Sequence, residues 1–238
     1  MLGMSKGVAL FVYGAREAAI AEALSKDADL YIYDRQNNPF NRSRAKVHVV
    51  DPELSVPGMV DFLKEYQDKL DFAVVTSEDP IMEGIRDHAE VATNIPVLCS
   101  TAEYAIERSK IYQRRLLDQI APEVNPRYKV FDHSKLLGDT KTEFYRWARE
   151  LVEYVIKPDR PGFGKGVVVS GDHFSNDDEA WELFRSIYET GNDIIVEEKI
   201  DGEEFSLQFF SDGKILVPTP AVRDYKRRFD DDKGDNTG

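Results

Sequence analysis

Up to about residue 100, short apolar runs alternate with longer segments in which apolar residues recur at helical spacing. The runs at 8–13, 30–33, 47–50 and 72–76 are rich in Val, Leu, Ile, Phe and Tyr, which predicts strands buried on both faces. Between them lie predicted helices over 15–24, 60–70 and 81–91. Strands alternating with helices of this length predict a parallel sheet covered on both faces, with ligands beyond the carboxyl ends of its strands. A last short run, 95–98, leads into Cys99, expected to be a buried thiol at a strand end.

The pattern then changes. Thr101 is expected to cap a helix over 102–108, and Ser109-Lys110 to open another that reaches Ile120, closed by Pro122 and Pro126 before a strand over 128–131. Phe144, Trp147, Ala148 and Leu151 share one helical stripe and are expected in a core. Strands follow over 154–157 and 167–169. Ser175 and Asp178 have the spacing of a capping box for a helix that buries Trp181, Phe184 and Ile187 or their neighbours. Residues 194–196 predict another strand, and the alternation of Phe205, Leu207 and Phe209 one more.

Composition narrows the function classes. With 238 residues, 42% hydrophobic and 11% aromatic, the chain has material for one large or two smaller globular domains. A net charge of -13 argues against general nucleic-acid or membrane binding, although cations gathered in one cleft can still hold an anion. Cys99 is the only cysteine, so an internal disulfide and a cysteine-rich zinc site are both excluded. There is no secretory signal and no apolar run long enough to span a bilayer, and a cytoplasmic location is expected.

The candidate chemistry centres on residues 154–169, YVIKPDRPGFGKGVVV. Gly162, Gly164 and Gly166 between two strands form a flap whose backbone N–H groups can close over a polyanion, with Lys157 and Lys165 beside it. A mobile hairpin with solvated lysines explains the same stretch equally well. A Walker A loop does not fit, because Gly164-Lys165 leads into Gly166 and a strand instead of a helix. Lys110, at a helix start, opposes the macrodipole and hints at an anion nearby. In the first half, Gly14 lacks the other glycines of a dinucleotide fingerprint, and Arg16 is either a phosphate contact or an exposed first-turn residue. Glu78 and Asp79 precede a helix, where they suit either dipole partners or ligands for an amine or sugar hydroxyls. Four glutamates around Gly202 are more than a plain connection needs.

With Lys110, Lys157, the flap, VEEKI and GEEFS in this order, the chain resembles the ATP-grasp superfamily. Within it, VYGAREAA, SEDPI, ERSK and DYKR followed by GDNTG resemble the family of phosphoribosylamine–glycine ligases. That resemblance implies a Rossmann-like, parallel-sheet α/β pre-ATP-grasp domain over 1–100. A truncated α+β ATP-grasp domain would follow over 101–238, with a lid subdomain over about 128–196.

The resemblance further implies that Lys110 and Lys157 contact the α and β phosphates of ATP and that Gly162, Gly164, Lys165 and Gly166 fold down as a lid. Glu197, the Glu198 carbonyl and the Ile200 amide would hold adenine, and Glu204 the ribose. Gly14, Arg16, Glu78 and Asp79 would face 5-phosphoribosylamine. Asp224, Lys226, Arg227, Asn236 and Thr237 would surround glycine, the amine and the γ phosphate. Mg²⁺ or Mn²⁺ is implied, with ligands beyond residue 238, so no metal residue is nominated, and the chain by itself is expected to be inactive. Ala18, Tyr225 and Asp235 depart from the family motif, as does Pro158 after Lys157. These departures leave open a sister ligase with another carboxylate or amine, and the missing metal half leaves open a non-catalytic nucleotide-binding remnant.

Overall fold

The structure is a computed structural model that describes residues 5–135, 137–160, 166–223, 225, 227–230 and 233–236, with backbone alone for Arg227 and 233–236. The chain divides into two compact units, Met1–Glu107 and Arg108–Gly238.

The first unit is α/β. Its strands are β1 (Lys6–Val12), β2 (Ala28–Asp34), β3 (Ala45–Val50), β4 (Phe72–Val74) and β5 (Val97–Leu98), all parallel, in the order β3-β2-β1-β4-β5. β1 explains why the apolar run is continuous. Val8, Leu10 and Val12 pack on the face of α1 (Ala15–Leu24), while Ala9 and Phe11 pack on the opposite face with Phe62 and Leu63, so both sets are buried. Strand order reverses between β1 and β4, which places a crevice at their carboxyl ends.

Three helix expectations are corrected here. The segment read as 60–70 is α3 (Val56–Tyr66), because Ser55 caps it by accepting from Gly58 N at 3.3 Å, and Pro57 suits its first turn; α2 (Pro39–Arg42) precedes it. The segment read as 81–91 is two helices, α4 (Glu78–Met82) and α5 (Ile85–Ala92), broken where Gly84 takes a left-handed φ of 81°. The helix over 102–108 is replaced by two 3₁₀ turns, and the Thr101 hydroxyl caps neither. Cys99 follows β5 as expected but is only half-buried.

In the second unit, α6 (Lys110–Ile120) leads into a four-stranded antiparallel sheet of order β6-β9-β7-β8. Its strands are β6 (Tyr128–Phe131), β7 (Tyr154–Pro158), β8 (Val168–Val169) and β9 (Ile194–Glu198). α7 (Leu137–Leu151) and α8 (Asp177–Tyr188) cover it through Phe144, Ala148, Trp181 and Phe184. The cap of α8 is Asn176, one residue past the expected Ser175: its side chain accepts from Asp178 N and Glu179 N, and Glu179 reaches back to Ser175 N at 2.7 Å.

The strand expected through Phe205, Leu207 and Phe209 is also shorter. Pairing there is confined to β10 (Phe209–Ser211) with β11 (Leu216–Pro218) and a single bridge from Ser206 to Val222, and all three apolar side chains are exposed. Alternation signals burial only when another layer covers the face, and no such layer lies among the described residues. β12 (Arg227–Phe229) and β13 (Lys233–Asn236) form the last pair.

Gly7 tests the packing of β1. A Cβ there would lie 1.7 Å from the Lys69 carbonyl oxygen, whereas one at Gly138 in α7 meets nothing. Urea unfolding should show Gly7→Ala destabilising by about 3 kcal/mol or more, and Gly138→Ala stabilising by roughly 0.5–1 kcal/mol.

Candidate nucleotide cleft

In the second unit a cavity of about 1060 Å³ opens over the sheet. Val155, Val167 and Val169 give it an apolar wall from β7 and the β8 segment; Glu197 to Asp201 and Glu204 line it from the end of β9 onward. A floor of branched side chains beside a strand end suits a flat heterocycle, whose edge can be read by backbone groups.

The polar centre of the cleft is Glu197, only 3% exposed. Arg114 grips it with a two-pronged contact, Nε to Oε2 at 2.6 Å and Nη2 to Oε1 at 3.0 Å, and Lys157 Nζ from β7 also bonds to Oε1. Burial pushes the Glu197 carboxyl up, but Arg114 and Lys157 outweigh it and hold the group below its ordinary value. Register explains the meeting: Val155 lies opposite Glu197, so Lys157, two residues on, projects from the same face of β7 as Val155.

Lys110 sits beside this pair, with backbone carbonyls as hydrogen-bond partners and the Asp159 and Glu197 carboxylates close enough to act on its charge. Its ammonium donates to Pro158 O at 3.0 Å and Arg160 O at 2.9 Å. Burial lowers its pKa; the Asp159 carboxylate works against that shift, and the nearby Lys157 adds to it. Asp159 itself accepts from Ser109 Oγ at 2.9 Å and Ile111 N at 2.8 Å, capping α6 and tying its start to the end of β7. The segment that follows holds Gly162, Gly164 and Lys165, which lie outside the described residues. Gly166, just beyond, has a φ of 83°, the left-handed region that favours glycine.

In the first unit the crevice between β1 and β4 gathers Gly14, Arg16 and Glu78. Glu17, 1% exposed, accepts from Gly14 N at 2.8 Å and from the Thr76 hydroxyl, so one carboxylate joins the loop after β1 to the loop after β4. Burial raises its pKa, and these bonds more than reverse the effect. Arg16 lies between Glu17, at 3.3 Å, and Glu78, at 3.6 Å. Asp79 occupies the same first turn of α4 as Glu78. Among the remaining expected residues, Arg227 and Asn236 face each other across the β12–β13 pair, while Asp224, Lys226 and Thr237 lie outside the described residues.

Arg114 and Glu17 were not anticipated as site residues. Arg114 stands four positions after Lys110 on α6, so helical spacing was the available signal, but its partner is 83 residues away. A divalent metal does not fit the described carboxylates nearest the lysines: Glu197 is occupied by two cations, and Asp159 caps α6. Asp132, His133 and Asp193 also cluster, but at the surface, where His133 Nδ1 bonds to Asp193 at 2.7 Å and Asp132 holds Ser134.

Comparison with known proteins covers nearly the whole chain. Residues 7–106 match the family model described as "Phosphoribosylglycinamide synthetase, N domain", and residues 108–238 match "Phosphoribosylglycinamide synthetase, ATP-grasp (A) domain". The phosphoribosylamine–glycine ligase of Methanopyrus kandleri is 34% identical over 234 residues, and that of Methanocella arvoryzae 32% over 229; each match covers 94% of this chain and 50% of the relative. The chain therefore spans about half the length of these curated relatives. The crystal structure of phosphoribosylamine–glycine ligase from Thermotoga maritima superposes with a TM-score of 0.71 at 23% identity, covering 97% of this chain and 53% of that one. An ADP complex of N5-carboxyaminoimidazole ribonucleotide synthetase gives 0.68 at 14% identity, covering 92% and 54%. At these identities the two structures establish a shared fold.

Titration tests the state of Glu197. Its folded value lies below the ordinary 4.5, so its stabilisation is complete above that pH and is lost as pH falls through the lower folded value. Wild type should exceed Glu197→Gln in unfolding free energy by on the order of 3 kcal/mol at pH 7, with the gap narrowing steadily in acid below 4.5.

Proposed function

Because the chain belongs to the phosphoribosylglycinamide synthetase family, we propose that it supplies the nucleotide site and the amine site of an ATP-dependent ligase that joins glycine to 5-phosphoribosylamine. The observation that carries this reading is the cavity in which Lys157, the end of β9, Ile200 and Glu204 meet beside a wall of valines. Adenine lies against Val155 and Val169, its edge read by the Glu198 carbonyl and the Ile200 amide, with Glu204 on the ribose. Lys157 and Lys110 hold the inner phosphates, and the segment carrying Gly162, Gly164, Lys165 and Gly166 covers the outer one.

The reaction has two transfers. A glycine carboxylate oxygen attacks the γ phosphorus, ADP departs, and an acyl phosphate forms; the amine nitrogen then attacks the acyl carbon, inorganic phosphate leaves, and the nitrogen loses a proton. This chain contributes charge and alignment, not a covalent nucleophile. Mg²⁺ or Mn²⁺, when bound, would neutralise the terminal phosphates. Arg16, oriented by Glu17 and Glu78, takes the sugar phosphate of the amine in the first unit, where Gly14 leaves room and Asp79 accepts from the amine or a hydroxyl. Asp224, Lys226, Arg227, Asn236 and Thr237 serve glycine, the amine and the γ phosphate. The departures at Ala18, Tyr225 and Asp235 favour a sister ligase as the second reading, with the same nucleotide cleft and a different acceptor.

Ligand-induced stabilisation tests the nucleotide site. ADP at about 100 times its Kd would add roughly 2.7 kcal/mol, so the melting midpoint should rise with millimolar ADP, and Lys157→Ala should remove most of that rise. An equal rise in the variant would take Lys157 out of the phosphate site.

A further inference from the structure

Glu197 has two cationic partners where one would suffice, and the two are not equivalent. Arg114 presents a planar fork that satisfies both carboxylate oxygens at 2.6 and 3.0 Å, whereas Lys157 meets a single oxygen from a flexible stem. The two side chains are similarly exposed, 25% for Lys157 and 21% for Arg114, but Lys157 stands beside the half-buried ammonium of Lys110. An anion entering the cleft can therefore draw Lys157 away at little cost, provided that the carboxylate left behind stays neutralised. Only Arg114, among the described residues, is placed to do this.

We propose that Arg114 is a positioning residue for the phosphates of the nucleotide: as the permanent counter-ion of Glu197, it releases Lys157 to exchange that carboxylate for a phosphate. The proposal rests on reading the cleft as a nucleotide site. Without the fork, a carboxylate that is 3% exposed has Lys157 as its one directly bonded counter-ion among the described residues, Lys110 acting on it only through space, and the Lys157 ammonium stays where it is. Phosphate binding then loses its partner while the valine wall and the β9 edge remain intact. Arg114 also lines the cavity, but both prongs of its fork are spent on Glu197, so it acts on the phosphates through Lys157.

The test compares ADP with adenosine, both binding to the 238-residue chain in EDTA, by calorimetry or NMR titration. The ratio of the two dissociation constants isolates the phosphates and cancels changes in adenine binding. Wild type should prefer ADP by about ten- to a hundredfold, the worth of charge-assisted contacts. Arg114→Met should bring that preference to within about threefold, and the double variant Arg114→Met with Glu197→Gln should restore it, because a neutral amide in place of the carboxylate no longer holds Lys157. Arg114→Lys keeps the charge without the fork, folds under milder perturbation and should fall between. A merely structural role would weaken ADP and adenosine together and would not be rescued by the second substitution. An unchanged preference in Arg114→Met, a full preference in Arg114→Lys, or no rescue in the double variant would each overturn the proposal. Failure of wild type to bind either ligand at millimolar concentration would instead overturn the nucleotide reading beneath it.

Discussion

A carboxylate buried to 3% exposure has to be neutralised, and that constraint at Glu197 organises the second unit. It is met by Arg114 from α6 and Lys157 from β7, which converge on the face of β9 and tie the helix to the two strands by charge as well as by packing. Asp159 repeats the device at the mouth of the cleft, capping α6 from the end of β7. The wall and polar centre of the cleft are therefore built on regular elements, α6, β7 and β9.

The first unit obeys the same rule on a smaller scale. Glu17 is buried at the point where strand order reverses, and its partners Gly14 and Thr76 lie on the two loops that border the crevice. Arg16 is left with its guanidinium largely exposed between two carboxylates, held in direction but open to an anion.

Much of this was legible in the sequence, because the signals were local. The continuous apolar runs pointed to parallel strands buried on both faces, and Lys157 at the end of one strand and Glu197 at the end of another were both recognisable as polar residues closing apolar runs. What escaped was non-local or conditional. Arg114 reads as an ordinary helix arginine until its distant partner is known. Gly84 reads as a tolerated helix glycine until its left-handed φ breaks the helix. Lys110 was legible as a cation at a helix start, but its bonds to the Pro158 and Arg160 carbonyls, 48 and 50 residues away, were not. Phe205, Leu207 and Phe209 alternate like a half-buried strand, but burial depends on a covering layer that periodicity alone cannot supply.

The central claim is that a nucleotide enters between the valine wall and the end of β9. Titrating the isotopically labelled chain with ADP while recording amide shifts tests it directly. The account predicts that the largest changes fall on Val155, Val169, Lys199 and Ile200, with the Lys157 side chain shifting as it leaves Glu197. Shifts confined to residues before Arg108, or a Lys157 signal indifferent to saturating ADP, would contradict it.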